Sequence, residues 1–184
     1  MSGGVLVLVV GPSGAGKDTL IAGARERLVG DARFVFPRRT VTRDATAHED
    51  HDTMTAEQFA AALAAGRFAL SWTAHGLSYG IPQVALDPVA HGRIAVCNVS
   101  RAVVGAARAR LGTVRVVYVD ARPELRAARI AVRGREQASG SRLDLARSDS
   151  AALDCDLLID NSGLPDAAIE VFTQALRGMA AAND

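Results

Sequence analysis

Lysine is almost absent from this chain: of its 21 basic residues, Lys17 alone is a lysine and the other 20 are arginines. Cysteine is nearly as scarce, with two residues. Cys97 and Cys155 stand far apart and fit no metal-binding spacing, so two free buried thiols in a reducing compartment are expected. No apolar run approaches the roughly 20 residues that a membrane span requires. The run at 5–10 has no basic segment before it and enters a glycine-rich loop directly, so it is not expected to be a secretion signal. An excess of either charge is missing too. The formal net charge of +1 gives no general attraction to nucleic acid or a membrane surface. Any basic site must therefore be local. Repeats and low-complexity linkers are absent, apart from a ragged tail at 180–184. A cytoplasmic monomer or homodimer is the expectation.

What is present is the composition of a soluble globular domain. Apolar residues make up 49% and charged residues 22% of 184 positions, enough for one domain with a proper core and short for two. Val5–Val10 is a continuous apolar run suited to a strand buried on both faces. It leads into GPSGAGKDT, Gly11 to Thr19. Then Leu20, Ile21, Ala24 and Leu28 follow helical spacing until Gly30. Strand, glycine-rich loop and helix are the setting in which G-x-x-x-x-G-K-[ST] binds phosphate. Successive backbone N–H groups wrap anionic oxygens, and the helix start adds its positive end.

Gly11, Pro12, Ser13, Gly14, Ala15, Gly16 and Lys17 are thus a candidate loop for the phosphates of ATP. The chain's lone lysine falls where a compact point charge suits better than a wide planar guanidinium. The next residue breaks the pattern, because Asp18 replaces the hydroxyl that meets Mg²⁺. P-loop ATPases usually hold a second Mg²⁺ contact, an Asp after an apolar strand; here the strand RIAVCN ends in neutral Asn98. The hard oxygen of Asp18 would suit Mg²⁺ and supply that missing carboxylate, with Thr19 beside it as a second candidate ligand. The alternative is that Asp18 only caps the helix. Asp120, after VVYV, is either a further metal group or the cap of the next helix.

Downstream, RFVFPRRTVTR reads as a short strand followed by a polar, Arg-rich stretch, and DATAHEDHD as a loop. Thr55 and Gln58 form a capping box for a helix that closes at Gly66. RFALSWTA is a strand candidate, HGLSYGIP a turn, and Pro82 the start of a short helix. From there strands and helices alternate. RIAVCNV is a strand, Ser100 to Leu111 a helix, VRVVYVD a strand, and Pro123 starts a helix to about Arg133. An Arg/Gly/Ser-rich loop and another helix follow, then the strand DLLID and a final helix from Pro165 to Met179. This order predicts an α/β fold, a parallel sheet with helices on both faces. The stretch 38–92 breaks the alternation and is expected to form an inserted cap over the acceptor, and 133–147 a lid, within a single domain spanning 1–184.

Two arginine clusters carry further chemistry. Arg38, Arg39 and Arg43, with Thr40 and Thr42 between them, have no interleaved carboxylate. Such a cluster suits an anion, bound bidentately as arginine binds phosphate, and a solvated face is the alternative. His51 in HEDH is a candidate phosphate donor; the spacing fits no zinc pattern. His75 and Tyr79 in HGLSYG are similar candidates, whereas Trp72 is expected to pack. The second cluster is RGRE, Arg133 to Glu136, between helices and flanked by Gly134 and Gly140. Arg133 and Arg135 could close over a transferring phosphoryl group, or simply offset a helix dipole.

On these residues the chain resembles the guanylate-kinase branch of the P-loop kinases over nearly its whole length. The likeness rests on GPSGAGKDTLI, TVTR at 40–43, QFAAALAAGRFAL, AHGLSYGIP, RGRE and IDNSG. Within that branch it is more similar to the ribose 1,5-bisphosphate phosphokinase family than to guanylate kinase. The resemblance implies a P-loop kinase fold with a five-stranded parallel sheet. It implies transfer of the ATP γ-phosphate to the 1-phosphate of ribose 1,5-bisphosphate, giving 5-phospho-ribose 1-diphosphate in phosphonate breakdown. Arg39, Thr42, Arg43, His51, Tyr79 and Asn98 would then serve the acceptor. Departures from guanylate kinase point the same way: Asp18 in place of Ser, Thr46 where an arginine is usual, and His51 at a tyrosine position. Leu70 or Thr73, and Asn98, stand where carboxylates read guanine. Without those carboxylates the donors of the base would go unpaired. Ile81–Pro82 also suits the ribose family. A later lid arginine is replaced by Asp144, with Arg142 and Arg147 nearby. Guanylate kinase, or a catalytically silent binding module of the same fold, are the other readings.

Overall fold

The computed structural model describes residues 3–43, 51–136 and 154–182. At its centre lies β1 (Val5–Val10), buried along its entire length. Alternation along a strand sends its side chains to two cores. Val5, Val7 and Val9 pack with Leu20 and Ala24 of α1 (Lys17–Arg27) and with Phe172 and Leu176 of α6 (Pro165–Ala181). Leu6, Leu8 and Val10 pack on the other side with Val104 and Ala107 of α4 (Val104–Arg110). An apolar run with no polar alternation is what a strand covered on both faces needs.

Around β1 the main sheet adds β2 (Phe34–Val35), β7 (Ile94–Asn98), β8 (Thr113–Asp120) and β9 (Leu157–Asp160) in the order β2-β7-β1-β8-β9. Every pairing is parallel, as the alternation predicts. The register sets Val9 beside Asn98 and Val10 beside Tyr118. The carboxyl ends of the three middle strands therefore open at one edge, where such sheets bind their ligands.

A second sheet lies within 38–92. Its order is β4-β3-β6-β5, from β3 (Arg39–Val41), β4 (His51–Thr53), β5 (Phe68–Ala74) and β6 (Leu77–Pro82). α2 (Ala56–Ala64) begins at the expected capping box. Gln58 N donates to Thr55 Oγ1 at 3.1 Å, and Thr55 N to Gln58 Oε1 at 2.9 Å. Phe59 of this helix stacks on Phe68 with ring centroids 4.5 Å apart. After β6 comes a 3₁₀ turn, Gln83–Leu86, and the short α3 (Asp87–Ala90).

Three expectations change. HGLSYGIP is not a turn throughout. Only His75 and Gly76 turn, with φ of 52° and 74°, as the mirror-image two-residue hairpin loop requires; Leu77–Pro82 is strand. Gly80 and Pro82 hide that strand locally. Pairing with β5 creates it, and the Phe68 ring occupies the place a side chain at 80 would take. His51, expected in a loop, lies in β4, pairs with Arg39 of β3 and is 1% exposed. RGRE does not lie between helices, because α5 (Pro123–Glu136) runs through it; a single Gly134 costs a helix only about 1 kcal/mol. The lid residues 137–147, with Arg142, Asp144 and Arg147, lie outside the described residues, as do Thr46 and His48. Among the described residues, no helix is long and apolar enough to cross a membrane.

Candidate active site

The loop between β1 and α1 is shaped by its own chain before any ligand is considered. Gly11 has φ 144° and Gly16 φ 90°, angles that disfavour a side chain. A Cβ at Gly11 would meet the carbonyl of Val119, and one at Gly16 the amide nitrogen of Asn161. Behind the loop, Asn161 Nδ2 donates to Ala15 O at 2.8 Å. Arg129 of α5 donates from Nη1 to Gly14 O at 3.3 Å and from Nη2 to Asn161 O at 3.0 Å. Within the loop, Ala15 N donates to Pro12 O at 3.3 Å. Lys17 Nζ donates across the loop to Gly11 O at 2.8 Å and Pro12 O at 3.0 Å. Ser13 and Thr19 are exposed at its rim.

Asp18 sits in the first turn of α1, while the N-cap position is Gly16. The helix-cap alternative for Asp18 is thereby set aside. Its Oδ1 instead accepts a hydrogen bond from Asn98 Nδ2 at 2.6 Å and lies 3.8 Å from Arg39 Nη2. Parallel pairing brings Asn98, 80 residues away, to the mouth of the loop. Arg39 lies over the ring of Tyr79, 5.9 Å from its centroid, and Tyr79 stacks on Trp72 at 5.4 Å with rings 4° from parallel. The structure thus brings Lys17, Asp18, Asn98, Arg39 and Tyr79 to one edge.

Other candidates are placed differently. Thr42 Oγ1 accepts from Ser78 N at 2.9 Å and ties β3 to β6. Arg43 is half-buried at the end of its described stretch. Arg38, part of the expected basic cluster, donates to His51 O at 2.8 Å and pairs with Asp52 at 3.3 Å. His51 itself lies inside the small sheet. Asp120 Oδ1 accepts from Ala121 N at 2.8 Å and lies 4.0 Å from Arg126 Nε, a placement turned toward α5. Position 133 shares the helical face of 126 and 129, though the side chains of Arg133 and Arg135 lie outside the described residues. Cys97 and Cys155 are free, the first buried and the second half-buried. Burial within β7 pushes the Cys97 thiol up to about 12. The hydroxyl and amide of Ser162 hold the Asp160 carboxyl below its usual range, in the turn that delivers Asn161.

Arg126, Arg129 and Asn161 are missing from the sequence-derived set. A signal for the arginines exists: 122, 126, 129 and 133 recur at spacings of four, three and four, one face of a helix. Asn161 gives no local signal, since its partner lies 146 residues away.

Among the described residues, no three His, Cys, Asp or Glu side chains converge as a metal cage. Mg²⁺ does not need one, since it is commonly held by one or two carboxylates together with substrate phosphates. The half-exposed carboxylate of Asp18 and the hydroxyl of Thr19, at the loop mouth, fit that requirement.

The chain has clear relatives, although no family model matches it. It is 51% identical over 174 residues to the ribose 1,5-bisphosphate phosphokinase PhnN of Methylobacterium radiotolerans, covering 95% of this chain and 98% of that one. The proteins of the same description from Acidiphilium cryptum and Brucella melitensis are 48% and 46% identical, over 92% and 96% of this chain and 90% and 94% of theirs. Among solved structures, guanylate kinase from Anaplasma phagocytophilum matches with a TM-score of 0.69 at 18% identity, covering 96% of this chain and 86% of that one. That likeness establishes the P-loop kinase fold. With nearly half its residues shared across almost the full length, this chain belongs to the ribose 1,5-bisphosphate phosphokinase family, and it is a kinase.

Proposed function

We propose that this protein transfers the γ-phosphoryl group of ATP to the 1-phosphate of ribose 1,5-bisphosphate, giving 5-phospho-ribose 1-diphosphate and ADP. One observation supports the reading most: the approach of Arg39 to Asp18, which brings the basic group of the small sheet up to the phosphate loop. Donor and acceptor phosphates would then meet between Lys17 and Arg39.

In the transfer, an oxygen of the acceptor phosphate attacks the γ-phosphorus, and the bridging oxygen leaves with ADP. No side-chain base is needed, because a phosphate monoester with a second pKa of about 6 is already an anion at neutral pH. The protein's share is positioning and charge neutralisation. The loop amides and Lys17 hold the β- and γ-phosphates. Arg39 and Arg43 hold the acceptor, with Tyr79 fixing the plane of the Arg39 guanidinium. Arg133 and Arg135 add positive charge to the transferring group as α5 ends. Asp18 and Thr19 would hold Mg²⁺, which neutralises oxygens of the triphosphate when bound. The small sheet and its helix would act as the acceptor cap within a single domain. We place the activity in the cytoplasm and in phosphonate breakdown.

The test is a coupled ADP-release assay with ribose 1,5-bisphosphate and, separately, GMP. Turnover with the bisphosphate and none with GMP is expected. The reverse pattern overturns the assignment.

A further inference from the structure

Proteins with this loop usually place one anionic metal group at the end of an apolar strand and a neutral hydroxyl on the helix that follows the loop lysine. Here both positions are changed, in opposite senses. The helix carries a carboxylate, Asp18, and β7 ends in an amide, Asn98. The two are in contact, with Asn98 Nδ2 donating to Asp18 Oδ1 at 2.6 Å. A carboxylate only accepts, so the contacting atom of residue 98 must be a donor, which an amide supplies and an aspartate does not. A carboxylate at 98 would put two like charges at hydrogen-bond distance.

We propose that Asn98 is a positioning residue: its amide holds the Asp18 carboxylate at the loop mouth, and the two side chains form an exchanged pair in which the single negative charge sits on α1 instead of β7. Three features support this. The cap of α1 is Gly16, so the Asp18 carboxylate is not consumed by capping. Its side chain is 43% exposed, open to a ligand beside the loop. Asn98 comes from a paired strand, Val9 opposite it, and so offers a fixed anchor rather than a loop one. Asn98, which the sequence places among the acceptor contacts, thereby acts through Asp18 on the donor side.

The inference rests on the loop being the ATP site, and it does not depend on the acceptor. Titration calorimetry with ATP, with and without Mg²⁺ (EDTA replacing it), reads it directly, alongside thermal melting of the nucleotide-free protein. Asn98→Asp should weaken ATP binding by about tenfold in both conditions and lower the melting temperature, as like charges in contact do. Asp18→Asn combined with Asn98→Asp, nearly isosteric with the native pair, restores one donor and one acceptor. It should recover at least about fivefold of the lost affinity, the scale of coupling between side chains in contact. Asn98→Leu tests orientation alone: it should raise the Mg²⁺ concentration at half-maximal ATP binding, which a purely structural role would leave in place. If the losses of Asn98→Asp and of Asp18→Asn measured alone simply multiply in the double variant, or if Asn98→Leu leaves the Mg²⁺ midpoint unchanged, the proposal fails. A protein that binds ATP but ignores ribose 1,5-bisphosphate would sink the acceptor assignment and leave this pair standing.

Discussion

Asn161 donates from Nδ2 to the carbonyl oxygen of Ala15 at 2.8 Å, joining the turn after β9 to the middle of the phosphate loop across 146 residues of chain. Asn161 is 4% exposed, and its own carbonyl accepts from Arg129 Nη2 at 3.0 Å. The outside of the loop is therefore held by side chains from α5 and from the turn after β9. Asn161→Ala leaves the buried Ala15 carbonyl only the long 3.5 Å contact from Arg129 Nη1, a loss of about 1–3 kcal/mol. The expected result is a lower melting temperature and a KM for ATP raised more than kcat is lowered, checked by steady-state kinetics. An unchanged KM with a lowered melting temperature would mean that the contact only stabilises the fold.

Lys17→Met removes the ammonium of the chain's lone lysine from the loop and leaves a stem of similar length. Turnover should fall at least about a hundredfold, the scale of losing one charge that stabilises the transition state. Circular dichroism should show a folded protein. ATP consumption at the unaltered rate would show that the loop is not the catalytic site.

Arg39→Lys keeps the charge but loses the planar fork and the stacking on Tyr79, whose ring centroid lies 5.9 Å from the guanidinium carbon. The KM for the acceptor should rise about tenfold, as expected for a largely buried charged contact worth roughly 1.5 kcal/mol. The KM for ATP should stay near its native value. An equal rise in both would place Arg39 on the donor side.

Burial that lifts the Cys97 thiol to about 12 gives a labelling contrast and a pH effect. At mildly alkaline pH, a disulfide reagent should modify half-buried Cys155 well before buried Cys97, as peptide mapping would show. In the unfolded chain Cys97 ionises near its ordinary value of 9.0, while in the fold it stays protonated up to about 12. Stability present below the first value is therefore lost as pH rises through that window, by at most about 1.4 kcal/mol per pH unit. Melting curves at about pH 8 and about pH 10.5 should show a steeper loss for the native protein than for Cys97→Ala.

Much of the donor site is legible in the sequence because its chemistry is local. Strand, glycines, lysine and helix follow one another within 5–28, and each announces itself by burial pattern, backbone freedom or charge. The capping box at Thr55 and Gln58 and the apolar runs of the parallel strands are legible for the same reason, while the number of five strands comes from the resemblance. The acceptor side is less so. HGLSYGIP reads as a turn because Gly80 and Pro82 weaken it locally, and only pairing with β5 makes it a strand. His51 carries no local mark of burial, which comes from its place beside β3. RGRE reads as a break because of Gly134, which a 14-residue helix tolerates.

By itself, then, the order of residues determines a Gly-rich loop after a buried strand, an alternating α/β chain and a lone lysine at the end of that loop. These follow from periodicity and backbone chemistry over short distances. What only tertiary structure decides is which distant groups serve that loop: Asn98 beside Asp18, Arg39 across from it, and Arg129 and Asn161 behind it. The reason is that these contacts are made by sheet register and helix packing between segments remote in the chain, and a hydrogen bond leaves no trace in the sequence around either partner.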